Sequence, residues 1–173
     1  MRIFIAIPIS PNLQSVIRVW QKEHSQLMVR WVKGKNLHIT LIPPREETDI
    51  KSLKDRLSQL RDRLKPFEIE FREITFGPHQ NKRKLIWAQG PATKQIIELR
   101  DTIEKAIDIK NPYRPWKPHI TLARFNPKHF SSFPLKNLKE DILWPEKITS
   151  FVIIQTHQTS EGSDYEILAT FEF

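Results

Sequence analysis

The tetrapeptide His-Ile-Thr-Leu occurs twice in the chain, at residues 38–41 and again at residues 119–122. The copies lie 119 − 38 = 81 residues apart. Both are short, aliphatic and β-branched, and both are bounded by proline or polar residues, which is the pattern of a strand. Side chains alternate across a strand. Leu37, Ile39 and Leu41 therefore share one face, and His38 and Thr40 the other. In the second copy Ile120 and Leu122 oppose His119 and Thr121 in the same way. Each strand buries an aliphatic row and presents an imidazole with a hydroxyl two strand rises away, roughly 6.6 Å. A fold that uses both copies must give each strand one packed face and one open face.

The rest of the chain supplies packing for two such strands. Arg2 to Pro8 reads as an apolar strand, followed by a helix over 11–27 with Ser10 as cap and Pro11 in its first turn. Leu13, Val16, Ile17, Trp20, His24 and Leu27 form its stripe, which makes His24 a packing histidine. A short strand over 29–32 and a turn over 33–36 lead into the first His-x-Thr strand, predicted to end at Pro43-Pro44. A second helix is expected over 48–64, stopped by Pro66, and a well-alternating strand over 67–76. The segment Gly77–Lys84 is a polar, basic loop suited to touching a phosphate backbone. A strand over 85–89 and a third helix after Gly90-Pro91, with Ile96, Leu99, Ile103 and Ile107 inward, precede the proline-rich approach to the second motif. Residues 126–146 read as irregular, with a short turn of helix near Lys128. A closing hairpin is expected from 150–156 and 165–173 around Ser160-Glu161-Gly162-Ser163. No stretch separates independent domains, so residues 1–173 are read as one domain of two pseudo-symmetric lobes. Each lobe contributes one His-x-Thr strand to a shared cleft, in an α+β architecture.

Histidine is the side chain whose ordinary pKa lets both protonation states coexist near neutral pH. Two histidines across a cleft therefore suit paired catalysis, one taking a proton from a nucleophile and the other giving one to a leaving group. Threonine hydroxyls beside them can donate to phosphate oxygens. A formal net charge of +8 favours an anionic partner, nucleic acid above all. Other chemistries fit worse. The chain has no cysteine, which removes disulfides, thiolate metal sites and a thiol nucleophile, and fits a reducing cytoplasm. Two histidines without a third ligand make a poor zinc site. The four glycines are scattered, with no phosphate-cradling loop. No serine stands in a G-x-S-x-G elbow. His157-Gln158-Thr159 is a third H-x-T, but it lacks the apolar middle residue and lies at the edge of the expected hairpin turn; it is read as a decoy. The apolar run Ile3–Ile9 is too short to span a membrane.

The paired motifs and their flanks resemble the two-histidine (2H) phosphoesterases, and within them the RNA 2′,3′-cyclic phosphodiesterases historically called 2′-5′ RNA ligases. The resemblance runs over nearly the whole chain. It includes Arg2–Ile7, the approach Trp31-Val32-Lys33-Gly34-Lys35-Asn36-Leu37, Arg114-Pro115-Trp116-Lys117-Pro118, Arg124, and Tyr165-Glu166-Ile167-Leu168. It implies a bilobal, pseudo-symmetric fold, with two mainly antiparallel sheets flanked by helices around a central cleft, and no metal or other cofactor. The implied reaction opens a 2′,3′-cyclic phosphate at an RNA end to a 2′-phosphate, and its reversal would join RNA ends through a 2′-5′ linkage. His38 and His119 would be the acid–base pair, with His119 the base toward water and His38 the acid at the 3′ oxygen. Thr40 and Thr121 would hold the phosphate, and Arg124 would be a further phosphate contact. Phe4 and Trp116 are candidates for stacking a base, and Lys117 for holding the anion from the strand face of His119. Many members follow the first motif with Phe-Leu-Gly; here Ile42-Pro43-Pro44 stands there, which bears on substrate choice. The protein is expected to be a cytoplasmic monomer acting on RNA. Alternatives from the residues themselves are a phosphodiesterase for 2′-5′ oligonucleotides or small cyclic nucleotides, and an RNA-binding module without turnover.

Overall fold

Among the described residues nine strands form one continuous sheet, and every pairing in it is antiparallel. The computed structural model describes residues 1–78, 83–109, 116–159 and 162–173. In chain order the strands are β1 (Arg2–Pro8), β2 (Arg30–Trp31), β3 (His38–Glu46), β4 (Phe67–Gly77), β5 (Leu85–Gln89), β6 (His119–Arg124), β7 (Lys139–Ile148), β8 (Ser150–Thr159) and β9 (Gly162–Glu172). The helices α1 (Pro11–Glu23), α2 (Ile50–Ser58) and α3 (Lys94–Ala106) lie between them.

The sheet order is β7-β4-β5-β6-β3-β1-β8-β9, with β2 alongside β6. Its continuity at the centre rests on a single residue pair, Ile39 with Ile120. The two expected sheets are thus two four-strand halves, β7-β4-β5-β6 and β3-β1-β8-β9, joined at that seam. In each half the His-x-Thr strand is innermost. Ile39 and Ile120 are fully buried in one large core that also holds Leu13, Ile17 and Trp20 of α1, Leu53 and Leu57 of α2, and Ile96, Leu99 and Ile103 of α3. The helices therefore cover one face of the sheet, and the other carries the histidines and threonines.

In the half that holds β3, β1 is buried on both faces. Ile3, Ile5 and Ile7 enter the large core, while Phe4 and Ala6 join Val152 and Ile154 in a second cluster on the opposite face, against Tyr165. A strand buried on both faces reads as a continuous apolar run, as Ile3–Ile7 does.

Several boundaries differ from expectation. The helix α1 stops at Glu23 rather than near Leu27, and the His24 ring folds back onto Trp20 at 4.0 Å. Ser10 caps it, its hydroxyl accepting from the Leu13 N–H at 3.3 Å. The second helix is shorter, capped by Asp49 and followed by a 3-10 turn at Arg61–Arg63. β3 does not end at Pro43-Pro44. Ile3 pairs with Arg45 and Ile5 with Ile42, so both prolines fall in a bulge opposite Phe4 and break no ladder bond.

The segment read as irregular contains most of β7, from Lys139 to Glu146, preceded by a 3-10 helix at Pro127–Ser132. β7 alternates, but its inward row includes two glutamates. Glu146 accepts from Ser10 N at 2.6 Å and Ser10 Oγ at 2.8 Å. Glu140 accepts from Trp20 Nε1 at 2.7 Å and lies 3.0 Å from His24 Nε2. Both carboxylates tie β7 to α1, so the inward row mixes glutamates with Ile142, Trp144 and Ile148 and hides the strand pattern. Pro145 is tolerated because β7 is an edge strand. The closing hairpin stays paired out to Thr159 and Gly162, nearer its turn than expected.

Candidate active site

The antiparallel pair Ile39–Ile120 fixes the geometry of the site. Residues flanking such a pair face one another across the strands. His38 is therefore set opposite Thr121, and His119 opposite Thr40, all four on the face turned away from the helices. Each imidazole has its own threonine along the strand and the other copy's threonine across it. In such a register the two histidines stand on a diagonal, for which the separation is about 7–8 Å.

The rings are oriented by the same device in both copies. His38 Nδ1 lies 2.8 Å from the Asn36 carbonyl oxygen, and His119 Nδ1 lies 2.9 Å from that of Lys117. A carbonyl oxygen only accepts, so Nδ1 donates and each neutral ring keeps its lone pair on Nε2. In both cases the carbonyl belongs to the residue two positions before the histidine. Lys117 thus contributes its backbone, and its exposed side chain leads into the strand.

Both histidines are held below the ordinary imidazole range. Burial pushes His38 down to about 4, and the Arg124 guanidinium and then His119 press in the same direction, against the Asn36 carbonyl, which raises it. His119 is lowered by burial and by Arg124, against the raising effect of the Lys117 carbonyl.

Arg124 reaches the site because of a bulge. Strict alternation from His119 would send it to the helix face. Instead Ile86 pairs with Ala123 and Trp87 with Thr121, leaving Leu122 as an extra residue. Leu122 and Ala123 are then buried in succession and Arg124 returns to the histidine side. β3 has the same bulge at Leu41, where Ile5 pairs with Ile42 and Ala6 with Thr40. The position equivalent to Arg124 is there Pro43, so the two strands do not supply a symmetric pair of arginines.

The aromatic surroundings differ between the halves. The Phe4 ring lies 4.9 Å from the His38 ring, and Tyr165 lies 5.5 Å from it. Phe4 is 2% exposed, so it reaches the site as a packing partner of His38 and not as an open stacking surface. Trp116 stands apart from the histidines: it packs on the large core, with the Arg100 guanidinium 4.9 Å from its ring. The aromatic partner of His119 is Trp87, at 4.4 Å. Sequence reasoning singled out neither Trp87 nor Tyr165 as site residues, because cross-strand register places them. Trp87 in turn leans over Gly77, where an added Cβ would sit 2.5 Å from its ring.

A cavity of about 270 Å³ opens beside His38, walled by Asn36, Val152, Ile154, Tyr165 and Ile167, with Lys35 at its rim. Lys35 is paired with Asp164 at 2.8 Å. His157 lies on β8, 2.8 Å from Glu166 across the hairpin. His24 is the packing histidine expected. Of the basic loop 77–84, residues 79–82 lie outside the described residues; Arg83 is engaged by the Phe130 ring at 4.8 Å and the Lys136 carbonyl at 3.0 Å. Arg114 also lies outside the described residues. Among the described residues, no helix is long and apolar enough to cross a membrane.

Comparison with known proteins converges on one family. The sequence profile of the 2′-5′ RNA ligase superfamily matches residues 9–159. An RNA 2′,3′-cyclic phosphodiesterase of Bacillus subtilis (strain 168) is 30% identical over 127 residues, covering 70% of this chain and 69% of that protein. One of the same name from Archaeoglobus fulgidus is 24% identical over 179 residues, covering 99% of this chain and 100% of its own. Among solved structures, a Thermus thermophilus protein superimposes with a TM-score of 0.81 at 21% identity, over 99% of this chain and 97% of that one. The E. coli LigT structure complexed with 3′-AMP gives 0.76 at 21% identity, over 99% and 97%. These structural likenesses establish the fold, an α+β 2H phosphoesterase fold with an open antiparallel sheet.

Proposed function

The chain belongs to the 2′-5′ RNA ligase superfamily, and on that premise we propose that it is an RNA 2′,3′-cyclic phosphodiesterase. The observation that carries the reading is the crossed arrangement at the Ile39–Ile120 seam, which brings two imidazoles and two hydroxyls to one face of the sheet, with Arg124 close enough to lower both histidines. In this reading Thr40, Thr121 and Arg124 hold the non-bridging oxygens of the cyclic phosphate. His119 takes a proton from water as it attacks phosphorus. The P–O3′ bond breaks on the opposite side, and His38 gives a proton to the departing 3′ oxygen. The product carries a 2′-phosphate and a free 3′-hydroxyl. Lys117, exposed at the entrance to β6, adds positive potential for the RNA backbone.

His38 can act as an acid only with substrate bound. The protein alone holds it near 4, so an anionic phosphate has to lift it into the working range. Reversal of the same steps joins a cyclic-phosphate end to a 5′-hydroxyl end. We read the protein as a cytoplasmic monomer whose substrates are RNA ends. The absence of cysteine supports a reducing compartment, and a cleft built from one chain supports the monomer.

The test is phosphorus NMR of a 2′,3′-cyclic nucleotide and of a short RNA with that end, each with excess EDTA. Conversion to the 2′-phosphate is expected, with rates falling by about 10²–10⁴ in His38→Ala and in His119→Ala. A 3′-phosphate product, dependence on metal, or full activity in either variant would overturn the assignment.

A further inference from the structure

The strand β2 is two residues long, yet several bonds fix it to β6. Arg30 pairs with Arg124, and Trp31 with Ala123. The Val32 N–H donates to the Leu122 carbonyl at 2.9 Å. Gln21 of α1 donates through Nε2 to the Val32 and Leu122 carbonyls, each at 3.1 Å. Trp31 turns to the helix face, where it meets Trp20 edge-on at 6.0 Å and packs on the large core. Alternation then sends Arg30, which is exposed, to the face that carries the histidines. Directly opposite residues of an antiparallel pair have Cβ atoms about 4.5–5.5 Å apart, so Arg30 and Arg124 project side by side. Arg124 stands three residues past Thr121, at most roughly 10 Å along the strand. The two arginines thus extend the cationic face outward from the histidines. β2 and β3 meet the same edge of β6, because β5 holds the other. Arg30 therefore continues the row that holds His38.

We infer that Arg30 binds the phosphate on the 5′ side of the terminal nucleotide, so that the protein prefers RNA ends to mononucleotides. The inference rests on the phosphodiesterase reading. In that reading Arg124, Thr40 and Thr121 hold the cyclic phosphate, and His38 faces the leaving 3′ oxygen. The ribose and its 5′ oxygen then lie on the β3 side of β6, the side on which β2 stands. An RNA end differs from a 2′,3′-cyclic mononucleotide first in the phosphodiester at that 5′ oxygen, one ribose away from the reacting phosphorus. A guanidinium set beside Arg124 on that edge is placed for this second anion, and its planar fork matches two phosphate oxygens. Trp31 and Gln21 already fix the backbone beneath it, so less ordering is left to be done on binding. A phosphate contact carries no base preference, so Arg30 would select the kind of substrate and not its sequence.

The experiment compares kcat/KM for 2′,3′-cyclic CMP and for the same nucleotide carrying a 5′-phosphate, in the wild type, in Arg30→Gln and in Arg30→Lys. The wild type is expected to favour the 5′-phosphorylated substrate by about tenfold at low salt, and the preference should shrink as salt is raised. Arg30→Gln is expected to erase that preference while keeping the wild-type rate on cyclic CMP, which also shows that the variant is folded. Arg30→Lys keeps the charge and should keep part of the preference. Equal rates on both substrates in the wild type would overturn the subsite and leave the reaction standing. A preference that survives Arg30→Gln would overturn it too. So would an equal loss on both substrates, which would move Arg30 to the reacting phosphate. If neither substrate is opened, the reaction itself fails. The subsite is then judged by calorimetry with 2′-CMP and cytidine 2′,5′-bisphosphate, the second expected to bind about tenfold more tightly in the wild type and not in Arg30→Gln; equal affinities in the wild type would overturn the inference as well.

Discussion

Lowering the pH on the free protein isolates the electrostatics of the first histidine. Burial takes His38 from its ordinary value of 6.5 down to about 4. At 1.36 kcal/mol per unit that displacement is worth about 3 kcal/mol. The native state resists protonation that the unfolded chain accepts freely. Above the unfolded value there is no penalty. As pH falls from 6.5 toward 4 the unfolded state binds the extra proton, and native stability drops by up to that amount. Below about 4 the native ring is protonated too and the loss levels off. At pH 7 only about one free molecule in a thousand carries a proton on His38. The assay is a histidine NMR titration of the ring carbons and nitrogens, free and with a saturating 2′-nucleotide. In the free protein His38 should stay neutral, with its proton on Nδ1, down to about pH 4. With the anion bound its titration should move toward neutrality. A free His38 that titrates near 6.5 would refute the desolvation argument. A bound anion that leaves its pKa unmoved would refute its role as acid and give the proton-donating role to His119.

Three other perturbations read separate parts of the structure. Gly77→Ala puts a methyl group into the Trp87 ring; Trp87 must shift against His119, and kcat should fall about tenfold while circular dichroism stays native. Glu146→Ala leaves the Ser10 N–H without its acceptor and should cost about 1–3 kcal/mol in denaturant unfolding, with kcat unchanged. Arg124→Gln removes the cation that lowers both histidines, so both should titrate higher in the free protein, and kcat/KM should fall about a hundredfold because the transferring phosphate loses the guanidinium beside it.

Local pattern carried the parts of this molecule that packing decides through periodicity. The strands flanking the motifs, the three helical stripes apart from Val16, which is exposed, and the paired His-x-Thr faces were legible, because period 2 and period 3.6 are written directly into residue spacing. What escaped was set by register between distant segments. The prolines at 43 and 44 looked like a strand end because no local rule reports that Phe4 lies opposite both. β7 was missed because Glu140 and Glu146 occupy its inward row, and their partners are Trp20, His24 and Ser10, more than a hundred residues away. Trp87 carries no motif and Tyr165 was read only as part of the closing strand; cross-strand pairing with Thr121 and packing against Phe4 bring them to the histidines. Phe4 and Trp116 were chosen as aromatics near the motifs, but burial under His38 and stacking with Arg100 give both a packing role.

The repeat is most informative where it fails. Both copies share the carbonyl two residues back that fixes the ring, both share the leucine bulge after the threonine, and both bury the pair of residues that follows. Up to that point a two-fold site would have no reason to use one histidine to take a proton and the other to give one. The symmetry ends five residues past each histidine, where β6 carries Arg124 and β3 carries Pro43. It is broken again beneath the rings, with Phe4 and Tyr165 under His38 and Trp87 against His119. The bulge makes this division possible. By reversing the alternation after Leu122 it brings a cation to the histidine face, and the same reversal after Leu41 brings a proline there. One side of the site thereby carries a cation, and the other an apolar cavity.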